Sequence, residues 1–210
     1  MNAQELISKD PKFYQNGTGK LQSYRASNDV LYFLEEHAKK DLHTLETGAG
    51  VSTVLFALKS THHICIVPDE AQCNNIRQFC REHDISTKKI NFIIETSDST
   101  LPRLETDGLD LVFIDGCHGF PIPFIDFHYT ASKLNIGGIL IIDDIQIWTG
   151  HILKNYLLSD PDWETIRIFK YAAIFRKMNK YVTKEWCNQL YVVRNSFEVS
   201  ERFLKQHKLI

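Results

Sequence analysis

The sequence has no excess of positive charge and no long apolar run, and both absences narrow the classes of function that it can have. Its 24 Lys and Arg residues are outnumbered by 26 Asp and Glu residues, which gives a formal net charge of −2. Such a chain has no basic field to attract a nucleic acid or an anionic membrane. No apolar stretch is long enough to span a bilayer, and no cationic segment followed by an apolar core starts the chain. We therefore expect a cytoplasmic protein that acts on a small molecule, with neither nucleic acid nor membrane as a partner.

Cysteine is sparse, odd in number and without a close paired spacing. The five cysteines are Cys65, Cys73, Cys80, Cys117 and Cys187. This pattern indicates neither a disulfide framework nor a structural zinc site, so most of these residues are interpreted as small buried side chains. The sequence leaves the oligomeric state open, a homodimer included.

Apolar strand-like runs alternate with segments of helical periodicity, a pattern typical of an α/β protein with a doubly wound, mostly parallel, Rossmann-like sheet. The five predicted parallel strands are residues 42–46, 63–67, 90–94, 109–115 and 139–143. Two later runs, 164–169 and 172–175, lie too close together for a crossover helix, so they predict an antiparallel hairpin at the sheet edge. No repeat or linker divides the chain, which predicts one domain over residues 1–210. Its tail, residues 179–210, has no evident role, and residues 197–204 favour a closing helix.

The most informative stretch is residues 45–53, LETGAGVST, where an apolar strand ends in an acid and two glycines follow. Without a Cβ, Gly48 and Gly50 allow a tight turn against a bound cofactor, and Ser52 or Thr53 would cap the next helix. Glu46 would repel a pyrophosphate but suits a ligand with its own positive charge. S-adenosylmethionine, which carries an ammonium and a sulfonium, is such a ligand. The alternative is an ordinary strand-to-helix turn that binds no ligand.

Further acids stand at the ends of the later strands. In an open α/β sheet, ligands bind beyond the carboxyl ends of the strands, where these acids would meet. Residues 114–118 read IDGCH and residues 137–144 read GGILIIDD. Together with the Glu-x-Gly-x-Gly turn, these motifs make residues 20–178 resemble a class I S-adenosylmethionine-dependent methyltransferase. The layout is similar to that of the small O-methyltransferase branch, which includes catechol O-methyltransferase.

The resemblance implies a cofactor site along the strand ends, with the methionine end at the glycine turn and the adenine in the loop after the third strand. The second strand departs from the family pattern, since Val67 stands where an acid usually binds the ribose. Asp69 either replaces that acid or caps the next helix, and capping is the favoured interpretation. The candidate cofactor-binding residues are Glu46, Gly48, Gly50, Ser52, Thr53, Asp69, Thr96, Ser97, Asp98 and Asp115.

The resemblance also implies a catalytic centre, in which Asp115 is one candidate residue. Asp115, Asp143 and Asp144 match the positions from which metal-dependent relatives take their ligands, and such oxygen donors suit Mg²⁺. A metal there would hold an acceptor hydroxyl and favour its deprotonated form. Alternatively, the acids contact the cofactor ammonium or cap helices. His118 is the best candidate for a general base because an imidazole titrates near physiological pH.

We therefore expect transfer of a methyl group from S-adenosylmethionine to an oxygen of a small molecule. An NAD-dependent oxidoreductase is a less favoured alternative, because Thr53 replaces the third glycine and Val67 the ribose acid of that fingerprint. A noncatalytic or regulatory cofactor-binding protein on the same fold is the other alternative.

Overall fold

Helices and strands alternate along the chain in the computed structural model, which describes residues 1–59, 61–196 and 205–206. The α-helices are α1 (Ala3–Lys9), α2 (Asn28–His37), α3 (Val51–Lys59), α4 (Glu70–Glu82), α5 (Ser97–Thr100), α6 (Ile122–Lys133), α7 (Trp148–Ser159) and α8 (Leu190–Arg194). The strands are β1 (Tyr14–Gln15), β2 (Leu21–Gln22), β3 (His43–Thr47), β4 (His62–Ile66), β5 (Ile90–Ile93), β6 (Leu109–Ile114), β7 (Leu134–Ile142), β8 (Trp163–Ile168) and β9 (Ala173–Lys177). Short 3-10 helices span Leu101–Arg103 and Trp186–Asn188. The closing helix predicted over residues 197–204 lies outside the described residues.

Seven strands form one sheet in the order β5-β4-β3-β6-β7-β9-β8. The first five strands of this order are parallel, and β9 runs antiparallel to both β7 and β8. The prediction of a Rossmann-like, mostly parallel sheet with an antiparallel hairpin at one edge is thus confirmed. A separate two-stranded antiparallel ribbon, β1 with β2, precedes the sheet.

The main difference from the predicted strands is the length of β7, which begins at Leu134 and not at residue 139. Its first residue pairs with Leu109, and the register then shifts by a bulge between Leu109 and Leu111. Helix α6 ends one residue earlier, at Lys133. The chain passes from helix to strand without a loop. Residues 135–137 are exposed, so apolar periodicity marks only the buried second half of β7.

Helices cover both faces of the sheet, so the central strands are apolar on both sides. On one face, α2, α3 and α4 pack against side chains such as Leu111 and Phe113. On the other face, α6 and α7 pack against Leu45 and Val112. The longest helix, α4, has 13 residues, and within the described chain no helix combines the length and apolar character that crossing a membrane requires.

Helix α4 shows how the sequence sets its own boundaries. The carboxylate of Asp69 accepts a hydrogen bond of 3.1 Å from the backbone N–H of Gln72, which caps the helix. Cys73, Ile76 and Cys80 form its buried face, as their spacing predicts. The capping interpretation of Asp69 is therefore confirmed.

A buried lysine on β9 joins the antiparallel hairpin to the helix layer. Lys177 is 3% exposed, and its Nζ donates to the carbonyl oxygens of Ala131 at 2.7 Å and Leu134 at 2.5 Å. These carbonyls lie at the end of α6 and the start of β7, where the helix itself offers no donor. Lys177 thus connects three elements through one side chain.

We expect Lys177→Met to lower the free energy of unfolding by about 1–3 kcal/mol, because two buried carbonyls lose their donor. The exposed Lys180 is a matched control, and Lys180→Met should change stability by no more than about 0.5 kcal/mol. Urea unfolding followed by circular dichroism measures both values. Equal effects of the two substitutions would show that the buried hydrogen bonds of Lys177 add nothing to stability.

Candidate active site

A cavity of about 1050 Å³ opens beyond the carboxyl ends of β3, β4, β6 and β7. It lies where the strand order reverses between β3 and β6, the usual ligand position in an open α/β sheet. Cavities that bind small molecules usually measure about 300–1,000 Å³, so this one has room for a cofactor and a small second ligand. The candidate cofactor-binding residues that line it are Gly48, Thr96, Ser97, Asp98 and Asp115.

The turn after β3 depends on one glycine more than on the other. Gly48 has a φ of +91°, and a Cβ there would lie 2.2 Å from the carbonyl oxygen of Asp115. At Gly50 a Cβ would meet only the carbonyl oxygen of Tyr24 at 3.8 Å, an ordinary contact. Gly48 is therefore required by the backbone at the end of β6 as well as by its place on the cavity wall. Gly50 does not line the cavity, and its hydrogen atom is not required by packing.

Glu46 lies behind this turn, inside the sheet. It is 1% exposed, Ser52 Oγ donates to its Oε2 at 2.7 Å, and Thr53 Oγ1 donates to its Oε1. Thr53 Oγ1 also accepts from the backbone N–H of Gly50 at 3.0 Å, which supports the start of α3. Glu46, Ser52 and Thr53, expected at the cofactor, are thus occupied with one another and do not line the cavity. Their hydrogen bonds support the turn from the protein interior.

A histidine that sequence reasoning assigned no role completes this network. The side chain of His63 on β4 is fully buried, with Nε2 3.1 Å from Glu46 Oε1 and Nδ1 2.8 Å from Thr44 Oγ1. Its ring stacks on that of Phe56 at 4.1 Å between centroids. Only the register of β3 against β4 brings His63 and Glu46 together, so no local motif marks the pair.

The far side of the cavity combines apolar and short polar residues. Ile66, Val67 and Pro68 line it at the end of β4, and Thr96, Ser97 and Asp98 line it after β5. Asp69 caps α4 and is not among the residues that line the cavity. Gln72 lines the cavity, and its Nε2 donates to the carbonyl oxygen of Ala49 at 2.5 Å.

Three acids meet where β6 and β7 end. Burial raises the pKa of Asp115 well above its usual value, and the charges of Asp143, Glu46 and Asp144 raise it further. Burial raises the pKa of Asp143 to about 6, and its Oδ1 has no hydrogen-bond partner within the described chain. A site that collects negative charge in this way favours a ligand that carries positive charge.

Asp144 differs from the other two acids because it contacts His118. His118 Nε2 lies 2.8 Å from Asp144 Oδ2, and this contact is the main reason why the pKa of Asp144 is below its usual value. Thr149 Oγ1 donates to the carbonyl oxygen of His118 at 2.6 Å, which ties the loop after β6 to the start of α7. Both side chains of the pair are about one third exposed and line the cavity.

The arrangement of possible metal ligands differs from the predicted set. Asp115, His118 and Asp144 each offer a ligand atom, and these atoms all lie within 4.8 Å of one another. The predicted set contained Asp143, which is buried in the cavity wall. Two carboxylates and one imidazole suit a transition metal better than Mg²⁺, which prefers oxygen ligands.

The opposite wall of the cavity comes from the N-terminal part of the chain, which sequence reasoning missed. Arg25 is held there by Asp10, 3.3 Å from its Nε, and by Asn28 Oδ1, 2.7 Å from its Nη1. No local pattern marks this wall as part of a site. The residues that form it are Asp10, Tyr14, Ser23, Tyr24, Arg25, Ala26, Ser27 and Asn28.

The fold and this cavity define a cofactor-binding protein of the doubly wound class, and comparison with known families makes the class specific. Residues 45–145, which run from the middle of β3 to just past the end of β7 and include all three strand-end acids, match the family model described as a methyltransferase domain. The chain therefore contains a methyltransferase domain over residues 45–145, with the fold of methyltransferases that have been solved in complex with SAH. A search of curated protein sequences finds no match.

Solved structures show the same fold at low sequence identity. A methyltransferase from Podospora anserina bound to SAH, the demethylated cofactor product, is 15% identical, with a TM-score of 0.57 over 72% of this chain and 77% of that chain. A cofactor-bound protein from MTB, Rv0187, is 16% identical, with a TM-score of 0.62 over 84% of this chain and 88% of that chain. An rRNA methylase from Streptococcus thermophilus is 13% identical, with a TM-score of 0.57 over 75% of this chain and 99% of that chain. At these identities the likeness concerns the fold and not the acceptor.

We expect Gly48→Ala to lower the free energy of unfolding by more than about 2 kcal/mol, because a Cβ at this positive φ also meets the Asp115 carbonyl. Gly50→Ala should cost no more than about 1 kcal/mol. Urea unfolding gives the stabilities, and calorimetric titration with SAH gives the affinities. A Gly48→Ala protein as stable as Gly50→Ala would contradict the close approach of the two backbones.

The raised pKa of Asp143 predicts how stability depends on pH. Between its usual value of 3.8 and about 6, the folded protein holds a proton that the unfolded chain releases. The free energy of unfolding therefore falls as pH rises through this window, by up to about 1.4 kcal/mol per unit of pKa shift. Asp143→Asn removes this contribution and should raise the melting temperature near pH 8 more than near pH 4. A difference in melting temperature between wild type and Asp143→Asn that is the same at every pH would contradict the raised pKa of Asp143.

Proposed function

We propose that this protein transfers the methyl group of S-adenosylmethionine to a hydroxyl oxygen of a small-molecule acceptor, with His118 as the general base. The observation that carries the proposal is the 2.8 Å contact between His118 Nε2 and Asp144 Oδ2 on the cavity wall. An imidazole that is oriented by a carboxylate can remove a proton from an acceptor hydroxyl.

The chemistry assigns each member of the pair a task. A neutral hydroxyl is a weak nucleophile, and its oxygen attacks the methyl carbon as its proton leaves. Nε2–H of His118 donates to Asp144, so Nδ1 accepts the acceptor proton. When bound, S-adenosylmethionine would supply the methyl carbon, which would bond to the acceptor oxygen while the sulfur would keep the electron pair of the broken bond. The protein supplies positioning and proton removal, and the cofactor supplies the reactive group.

The charges of the cavity support a cofactor orientation. The ammonium and sulfonium of S-adenosylmethionine would offset the acids at the ends of β6 and β7, with the methionine end at Gly48 and Asp115. The adenine would then lie toward Thr96, Ser97 and Asp98, beside the apolar end of β4. His118, on the same cavity wall as Asp144, would be available to the acceptor.

The same charges favour a small acceptor over a nucleic acid. Five acids line the cavity, against Arg25 and His118 as basic residues. The formal net charge of −2 adds no basic surface for a phosphate backbone. The likeness to an rRNA methylase in fold therefore does not extend to its acceptor in our proposal. The five acids are Asp10, Asp98, Asp115, Asp143 and Asp144.

A metal-assisted reaction is the second candidate, and it is favoured by the proximity of Asp115, His118 and Asp144. These residues would hold the ion, which when bound would lower the pKa of an acceptor hydroxyl. Because His118 Nε2 is the nitrogen next to Asp144, its use as a ligand would replace the orienting contact described above. In the general-base mechanism Nε2 donates a hydrogen bond to Asp144, whereas in the metal mechanism the same nitrogen would bind the ion.

We expect His118→Gln to lower kcat by about 10²–10⁴-fold and to change SAH affinity by less than about threefold, since the loss is of proton removal and not of cofactor binding. The assay follows labelled methyl transfer from S-adenosylmethionine to a panel of phenols and alcohols, with an rRNA transcript as a comparison acceptor. Transfer to RNA and to no hydroxyl compound would contradict the proposed acceptor class. An unchanged kcat in His118→Gln would contradict the role of the base.

The metal candidate has its own readout. A divalent ion that binds the folded protein raises its melting temperature by mass action. Mn²⁺, Zn²⁺ and Mg²⁺ are added singly to wild type and to the matched variants Asp144→Asn and Asp143→Asn. Stabilisation that is lost in Asp144→Asn and kept in Asp143→Asn, together with loss of activity in chelator, would favour the metal mechanism. Activity that survives chelator would leave His118 as the base.

A further inference from the structure

The wall of the cavity contains an arginine that the reaction described above does not use. Arg25 lies in the segment between β2 and α2, and it is the only Lys or Arg among the described residues that line the cavity. The five acids named above line the same cavity. A negatively charged ligand group would be repelled by these acids and attracted by Arg25.

The guanidinium of Arg25 is oriented by contacts within its own segment of the chain. Its Nε donates to Asp10 Oδ1 at 3.3 Å, and its Nη1 donates to Asn28 Oδ1 at 2.7 Å and to the Ala26 carbonyl at 3.3 Å. A guanidinium has five N–H donors, and the two on Nη2 make no hydrogen bond within the described residues. The ion pair with Asp10 is partly exposed, with 24% of the Arg25 side chain and 48% of the Asp10 side chain accessible, and such pairs contribute little to stability. These contacts fix the guanidinium and leave two donors for a ligand.

The segment that carries Arg25 packs against the glycine turn after β3. The carbonyl oxygen of Tyr24 lies 3.8 Å from the position of a Cβ on Gly50. A cleft of about 10 Å³ is lined by both residues 22–25 and residues 49–51, and it has room for about one water molecule. Arg25 and Ala49 line both this cleft and the main cavity. Arg25 is therefore a neighbour of the turn to which the methionine end of the cofactor is assigned.

The methionine end of S-adenosylmethionine carries two charges of opposite sign. Its ammonium suits the acids at the ends of β6 and β7. Its carboxylate would be repelled by those acids, so it needs a cation close to the glycine turn. A guanidinium suits this task because its planar array of donors matches the two oxygens of a carboxylate. His118, the other basic residue of the cavity, is assigned to the acceptor.

We propose that Arg25 binds the carboxylate of the methionine end of the cofactor and thereby selects ligands that keep this group. The N-terminal wall then supplies the positive charge that the acidic ends of β6 and β7 lack. The inference rests on the assignment of S-adenosylmethionine to this cavity, and it adds a residue that lies outside the matched methyltransferase domain.

The test is calorimetric titration with SAH and with decarboxylated SAH, which keeps the ammonium, the thioether and the adenosine. The proteins are wild type, Arg25→Gln, Arg25→Lys and Arg176→Gln. Arg176 is a matched control because its Nη1 forms an exposed ion pair with Glu164 Oε2 at 3.2 Å, and neither residue lines the cavity. Melting temperatures show whether each variant is folded.

We expect Arg25→Gln to weaken SAH binding by about 10–100-fold, the loss that follows when charge-assisted hydrogen bonds are removed. Binding of decarboxylated SAH should change by less than about twofold, because that ligand lacks the group that Arg25 contacts. Wild type should therefore prefer SAH to the decarboxylated ligand, and Arg25→Gln should lose this preference. Arg25→Lys should keep part of it, since lysine keeps the charge without the planar donors. Arg176→Gln should change neither affinity.

Three results would overturn the inference. Equal weakening of both ligands by Arg25→Gln would show that Arg25 supports the turn and does not bind the carboxylate. An unchanged SAH affinity in folded Arg25→Gln would show that the carboxylate binds elsewhere. If wild type binds neither ligand, the cofactor assignment fails together with the inference, an outcome distinct from a failure confined to Arg25.

Discussion

The close contact between the backbone at Gly48 and the backbone at Asp115 is the constraint on which the site depends. A Cβ at Gly48 would lie 2.2 Å from the Asp115 carbonyl oxygen, so the ends of β3 and β6 lie too close together for a side chain at position 48. The backbone N–H of Asp115 donates to the carbonyl of Thr47 at 3.1 Å, and that of Gly48 donates to Ile66 at 2.9 Å. Three strand ends are thereby joined around one turn. This junction fixes the place of Asp115 at the cavity.

Charge is distributed differently on the two sides of the turn. On its interior side, Glu46 accepts hydrogen bonds from Ser52 and Thr53 and lies 3.1 Å from His63 Nε2, so buried polar contacts support the turn. Above it, Asp115 and Asp143 have raised pKa values and face a cavity with few basic residues. The interior contacts support the structure of the turn, whereas the acids at the cavity lack neighbouring cations and so favour a positively charged ligand. Glu46, the acid of the glycine-turn motif, therefore does not line the cavity, whereas the acids at the ends of β6 and β7 do.

The sequence predicts the fold well because the signals for the fold are local. Apolar runs mark β3 to β6 to within one or two residues, and the short spacing of residues 164–175 predicts the edge hairpin. The site is predicted less completely, because its geometry depends on pairs far apart in the chain. His63 meets Glu46 through strand register, and the N-terminal wall is joined to helix α4 by contacts distant in sequence, such as the 2.8 Å hydrogen bond from Asn75 Nδ2 to the Phe13 carbonyl. The burial of Asp126 on α6 is not predicted either, because the helical pattern of a sequence does not distinguish a buried acid from an exposed one.

The central claim is that the cavity beyond β3 and β6 is where S-adenosylmethionine binds, and a crystal structure of the protein with SAH tests it most directly. The account predicts density for SAH along the strand ends, with the methionine end at Gly48 and Asp115, the adenine beside Ser97, and the sulfur facing His118. SAH bound elsewhere, or the reverse orientation with the adenine against His118, would contradict the account.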